Sequence, residues 1–250
     1  MIEFQQLTRT YGDFTAVRPL SLTVERGEVF GFLGPNGAGK TTTIRMMMGI
    51  LVPSGGRALI NGLDCHAQRA EVQRHVGYLP DNPIYYDFLR GREILRFVAE
   101  MHGMPRADAD RRAVDMLGEF GLTDVVDEFA VNYSMGMKKK LGLACALIHD
   151  PQVLILDEPI NGLDPRAARD VQDRLRQAAA AGKTIFMSTH LLDMGEKVCT
   201  RVGIIHKGGL VATGTMDQLR EKTNQDASLE EVFLSVTDED AAPANATEIP

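Results

Sequence analysis

Residues 34–41 read GPNGAGKT, and they lie inside the longer stretch EVFGFLGPNGAGKTTTIRMMMGIL, residues 28–51. An apolar run comes first, then a glycine-rich turn, then a segment that reads as a helix from about Lys40. The spacing Gly34, Gly39, Lys40, Thr41 fits Gly-x-x-x-x-Gly-Lys-Ser/Thr. Glycines let a backbone wrap closely enough for successive N–H groups to point at one anion. The helix that follows presents its positive end to the same charge. Lys40 has the reach for terminal phosphates, and Thr41 offers a hydroxyl to a divalent cation. A chance glycine-rich turn would lack this strand-before, helix-after context. The stretch therefore predicts an α/β protein that cradles a polyphosphate.

Working outward, two more apolar runs, in QVLILDEP and GKTIFMSTH, show no alternation. Such runs suit parallel strands buried on both faces. The first ends in Asp157 and Glu158. Adjacent strand residues point to opposite faces, so these carboxylates should hold different roles. One can serve a cation and the other can orient and polarise a water. His190 closes the second run at the same predicted sheet edge. A lone histidine is more often structural, but here ligand contact is the better expectation, because ligands of open α/β sheets bind at the carboxyl ends of strands. Tyr11 lies between early strands and is either core or a platform for a nucleobase.

Between about Asn82 and Asn132 the pattern turns helical. GREILRFVAEMHG places Ile94, Leu95, Val98 and Met101 on one face, and RRAVDMLGEFG does the same with Val114, Leu117 and Phe120 before a Gly121 stop. This predicts a helical insert over about 82–150. In NYSMGMKKK, residues 132–140, Ser134 caps a helix and Gly136 allows close approach to a phosphate. Of the three lysines, Lys138 is assigned the electrostatic role, and Lys139 and Lys140 are expected to be solvated or interfacial. RVGIIHKGGLVATG reads as a hairpin, and SLEEVF opens on a capping box, Ser228 to Glu231. Residues 1–237 are read as one domain, and the acidic residues 238–250 as a disordered tail.

The chain has 250 residues, a formal net charge of −7 and three scattered cysteines. An acidic balance argues against a protein whose business is neutralising nucleic-acid phosphates. The cysteine spacing argues for reduced thiols and a cytoplasmic setting. The opening MIEFQQLTRT shows no apolar leader, and no uncharged apolar run is long enough to suggest a membrane span.

The order Tyr11, GPNGAGKT (34–41), GYLPD (77–81), YSMGM (133–137), LILDEP (154–159), NGLD (161–164) and His190 resembles the ATP-binding subunit of an ABC transporter, over about residues 2–237. The resemblance implies a P-loop NTPase (RecA-like) core with a mainly parallel sheet, an N-terminal antiparallel β subdomain and an inserted α-helical subdomain. It implies that Tyr11 stacks on adenine, and that Gly34, Pro35, Asn36, Gly37, Ala38, Gly39, Lys40, Thr41 and Thr42 grip the phosphates of ATP. Thr41 and Asp157 would serve Mg²⁺, Glu158 would be the catalytic carboxylate, and His190 the γ-phosphate switch. Ser134 and Gly136 would touch ATP held by the neighbouring subunit, and Asn161 to Asp164 would meet that subunit. The implied partners are an integral membrane permease and a second ATPase copy or paralogue, with the chain peripheral on the inner face of the membrane and no nucleic acid involved.

Two departures stand out. Asp81 occupies the position where the family usually has glutamine, and would add negative charge near the metal. The usual Leu-Ser-Gly-Gly-Gln signature is here Tyr133, Ser134, Met135, Gly136, Met137. This variant signature, with an acid at 81 and SLEEVF near the end, resembles the ABC-2 type exporter branch. The rivals are a soluble ABC ATPase acting on ribosomes or DNA, which usually carries two ATPase halves or a long coiled coil, and a non-hydrolytic regulator, which would lack Glu158 or His190.

Overall fold

The computed structural model describes residues 1–221 and 228–237. The tail expected at 238–250 lies outside the described residues. The chain opens with β1 (Ile2–Tyr11), β2 (Phe14–Val24), β3 (Val29–Leu33), α1 (Lys40–Met47), β4 (Gly55–Ile60), β5 (Leu63–Asp64) and α2 (Arg69–His75). There follow β6 (Val76–Leu79), α3 (Gly91–Met101), α4 (Arg106–Glu119), α5 (Met135–Leu147), β7 (Val153–Asp157) and α6 (Pro165–Ala180). It continues with β8 (Thr184–Thr189), α7 (Leu192–Val198), β9 (Arg201–His206), β10 (Gly209–Gly214), α8 (Met216–Glu221) and α9 (Leu229–Thr237). The chain divides into two compact units, residues 1–72 with 184 onward, and residues 73–183.

The first unit holds an antiparallel sheet, order β2-β1-β4-β5, and the strands β10-β9-β3-β8. β3 runs parallel to both β8 and β9, and every β3 residue is buried, which explains its unbroken apolar sequence. Phe186 of β8 stacks near Phe30 at 5.7 Å and Phe32 at 5.4 Å, and meets the edge of Phe4 from β1 at 5.9 Å. This aromatic group ties the antiparallel sheet to β3 and β8, each pair adding roughly 0.5–1.5 kcal/mol beyond area burial. The expected hairpin forms, with His206 opposite Gly209 and positive φ at Lys207 and Gly208. Its neighbour α9 starts at the expected capping box: Glu231 accepts from the Ser228 N–H at 2.7 Å.

The second unit pairs β6 with β7 in parallel and carries α3, α4, α5 and α6. A Cβ on Gly77 would come within 1.9 Å of the Ala146 carbonyl, so only glycine lets α5 lie directly on β6. Two expected core positions are corrected here. Met101 and Val114 are 72% and 53% exposed, while Ala99, Ala113 and Met116 are buried in their place. The core face of each helix is centred on its alanines, which allow close packing against neighbours, and the larger apolar residues flank it.

His102 and His149 stack with centroids 3.5 Å apart. Burial, then the neighbouring His102, depresses His149 to about 4, and burial also lowers His102. An unfolded histidine titrates near 6.5, so the unfolded chain binds more protons below that pH. The contribution of His149 to stability is complete above about pH 6.5 and is lost as the pH falls towards about 4. The melting temperature should therefore drop between pH 7 and pH 5, and His149→Phe should flatten that slope. An unchanged slope would remove His149 as its source.

Candidate functional site

In the first unit, the loop 34–39 leaves β3 where Leu33 pairs with Thr189 of β8. The Gly34 N–H donates to the Thr189 carbonyl at 3.3 Å. A Cβ at Gly34 would lie 2.4 Å from the Ile205 carbonyl, so the backbone has no room for any other residue. Gly37 and Gly39 take φ of 82° and 108°, turning the chain into α1. The hairpin between β9 and β10 braces the turn, with the Gly208 N–H donating to the Ala38 carbonyl at 3.1 Å.

Helix α1 begins at Lys40 with no side-chain cap and no acid in its first turn. Its first N–H groups have no intrahelical acceptor, and the helix dipole concentrates positive charge there. The Lys40 Nζ is folded into the loop, donating to the Gly34 carbonyl at 2.6 Å and the Pro35 carbonyl at 3.2 Å. Thr41 and Thr42 are half-buried on the first turn, while Asn36 and Gly37 are exposed. The loop thus folds around one ammonium, held by the Gly34 and Pro35 carbonyls, at the positive end of α1.

His190 follows the last residue of β8 and is exposed, at the same edge as the start of the loop. Tyr11 ends β1 and is 46% exposed, so it is not core. The Arg9 guanidinium covers its ring at 4.4 Å. Tyr11 pairs with Phe14 of β2, and two residues on, the Ala16 carbonyl lies where a Cβ on Gly39 would meet it at 2.6 Å. The ring therefore sits on a hairpin that abuts the loop.

In the second unit, β6 and β7 end in register, Leu79 opposite Leu156. Asp157 ends β7 and is buried; Glu158 follows, 7% exposed, with φ of 49°. A left-handed backbone on a non-glycine residue is uncommon and costs of order 1–3 kcal/mol. It also turns the Glu158 side chain away from the direction that strand alternation would give it.

Ser134 caps α5, its Oγ accepting from the Met137 N–H at 3.2 Å. A Cβ at Gly136 would meet only Leu163, at an ordinary contact distance of 3.6 Å, so the fold itself does not demand glycine there. Asp164 caps α6, accepting from the N–H groups of Arg166 and Ala167 at 3.0 Å each, and these bonds, led by the one from Ala167, hold its carboxyl below the usual range.

The expectation for the lysines is corrected. Lys139 is 2% exposed, and its Nζ donates to the Glu158 carbonyl at 2.5 Å and lies 3.4 Å from Asp81 Oδ1. The helix rotation that carries α5 over β6 points Lys139 inward. Lys140 pairs instead with Asp170 at 3.8 Å. Asp81, expected beside a metal, is engaged by Lys139.

No helix among the described residues is long and apolar enough to cross a membrane. A family model described as ABC transporter matches residues 17–161. The Escherichia coli K12 "Probable multidrug ABC transporter ATP-binding protein YbhF" is 36% identical over 94% of this chain, which spans 41% of that relative's length. The Bacillus subtilis "ABC-type transporter ATP-binding protein EcsA" is 33% identical, covering 96% of this chain and 98% of the relative. A solved structure of an ATP-binding subunit of an ABC transporter superposes with a TM-score of 0.88 at 34% identity, over 95% of this chain and all of the other. With the family model covering more than half of its residues and a relative matched almost end to end, the chain belongs to the ABC transporter ATP-binding proteins.

Proposed function

We propose that this chain binds Mg-ATP, hydrolyses it within a two-subunit sandwich, and so energises transport, on the ABC-2 exporter branch, through a separate membrane permease. The observation that carries the reading is the glycine-rich loop at 34–39 with the Lys40 ammonium folded into it, leading into an uncapped helix end. That arrangement suits a polyphosphate better than any neutral ligand. Tyr11 is exposed and held flat by Arg9, as adenine stacking requires. Thr41 and Asp157 offer the hydroxyl and carboxylate oxygens that a hard cation prefers. Among the described residues there is no cluster of three or more potential ligands, which suits an ion completed by phosphate and water. When bound, Mg²⁺ would neutralise charge developing on the phosphates.

The chemistry left to the protein is positioning. Lys40 and the loop N–H groups hold the phosphate oxygens, Glu158 takes a proton from water at its carboxylate, and His190 holds the terminal phosphate in line. Ser134 and Gly136 would close over ATP held by the opposite subunit, and Asn161 to Asp164 would line that contact. Residues 1–237 would then act as one ATPase domain with a helical insert, peripheral on the inner face of the membrane.

The permease contact is argued from the second unit. Ile84, Tyr86 and Phe88 are 93%, 74% and 82% exposed, and with Phe97 the last two line a pocket of about 450 Å³. So much exposed aromatic area in one place marks a docking surface. Purifying the chain from membranes should bring down a polytopic membrane protein. Phe88→Ser with Tyr86→Ser should release it while ATP binding stays intact. Co-sedimentation with ribosomes in place of a membrane protein would refute the transport reading.

A further inference from the structure

Lys139 is a buried ammonium that the phosphate chemistry leaves unused. Taking a charged amine out of water costs several kcal/mol, and an apolar residue of the same size is often as stable or more so. α5 is buried over most of its length, with Leu141, Leu143, Ala144 and Ala146 in the core, so methionine or leucine would pack at position 139 as well. Stability alone does not call for a lysine there. What the lysine does is specific: its Nζ donates to the main-chain carbonyl of Glu158 at 2.5 Å, and its charge is answered by Asp81 Oδ1 at 3.4 Å. Glu158 is also the residue of β7's end whose backbone is left-handed, φ 49°. The same carbonyl also accepts from the Asn161 N–H of the following turn at 3.2 Å, so Lys139 adds a second, charged donor to it.

We propose that Lys139 is a positioning residue for ATP hydrolysis: it clamps the strained Glu158 peptide, and through it the carboxylate's aim, with Asp81 as its counter-ion. The inference rests on the reading of Glu158 as the carboxylate that activates water. It also gives the acidic residue at position 81 a task, since Asp81 is the foremost of the carboxylates that answer the ammonium's charge, ahead of Glu158 and Asp157. Asp81 lies just past the end of β6, whose register with β7 sets it beside the end of β7. Its side chain is 36% exposed, so a change at the surface beyond β6 has a two-step route to Glu158 through Lys139.

The test is steady-state hydrolysis and equilibrium binding of Mg-ATP by the full chain carrying Lys139→Met, with Asp81→Asn and Glu158→Gln alongside. Methionine keeps the volume and removes the donor. Lys139→Met should lower kcat by about 10- to 100-fold, the scale expected of a misaimed catalytic group, with KM and Kd for ATP within about threefold. Asp81→Asn leaves the Glu158 contact in place, and its kcat should fall between that of the unmodified chain and Lys139→Met. Should Lys139→Met not fold, Lys139→Leu, likewise without a donor, carries the same expectation. An unchanged kcat, a loss matched by an equal loss of ATP-binding sites, or an Asp81→Asn defect deeper than that at Lys139 overturns the clamp. If Glu158→Gln itself retains full turnover, the role of Glu158 falls and the clamp with it. If Glu158→Gln is inactive and the Lys139 variants are not, only the clamp falls.

Discussion

A Glu158→Gln chain is expected to bind Mg-ATP as tightly as the unmodified chain and to hydrolyse it about 10²–10⁴-fold more slowly. Glutamine has the shape of glutamate and can still hydrogen-bond a water, but it cannot take the proton. The loss corresponds to about 2.7–5.4 kcal/mol of transition-state stabilisation at 1.36 kcal/mol per decade. Binding should survive because the loop, Lys40 and Tyr11 belong to the other compact unit of the chain. With ATP bound and hydrolysis blocked, the two-subunit sandwich should accumulate. Phosphate release in a single turnover gives the rate, and light scattering with saturating Mg-ATP gives the mass. Retained turnover would move the base elsewhere. A monomer under those conditions would defeat the sandwich.

The turn at 34–39 and the helix start at Lys40 were legible in the sequence because their information is local. Gly34 and Gly39 are demanded by backbone approaches of 2.4 and 2.6 Å, and Lys40 and Thr41 follow at fixed helical positions. The buried strands were legible too, since parallel strands covered on both faces cannot alternate. Tyr11 was not decidable from its neighbours. Its exposure depends on its place at the end of the hairpin with Phe14, and Arg9, two residues back on the same face of β1, covers one side of the ring.

Lys139 shows the sharper failure, because a run of three lysines reads as solvated charge. The signal against that reading is the uninterrupted apolar stretch Leu141 to Ile148, which marks a helix buried nearly all round. Of the three lysines only Lys139 falls on the buried face, with Lys138 and Lys140 half-buried beside it. What the sequence does not carry is the acceptor, the Glu158 carbonyl just past the end of β7. Met101 and Val114 fail for a related reason. Helical periodicity finds a face but not its centre, and alanines at 99 and 113 take the centre because neighbouring helices come close there. The cap at Asp164 was within reach, since Asp-Pro before a helical run is a strong start signal.

Lys40→Ala should weaken the Kd for ATP by about 10- to 150-fold. A hydrogen bond to a charged group contributes roughly 1.5–3 kcal/mol, so removing one from a desolvated phosphate weakens affinity by about 10- to 150-fold. Lys40 is 6% exposed, so its bond to phosphate is poorly screened by water and salt. The fold itself should tolerate the change. Lys40 spends its ammonium on two loop carbonyls at 2.6 and 3.2 Å, contacts made within its own turn and not with the strands of the core. Loop geometry is held by other bonds, from Gly34 to Thr189 and from Gly208 to Ala38. Lys40→Arg should not rescue, because a planar guanidinium places its donors differently from the compact ammonium that the Gly34 and Pro35 carbonyls hold. Isothermal titration with Mg-ATP, beside a thermal melt, separates the two effects. A weakened Kd at an unchanged melting temperature assigns the effect to the missing ammonium–phosphate bond. Unweakened ATP binding by Lys40→Ala would mean that the loop N–H groups and the helix end carry the phosphates without it.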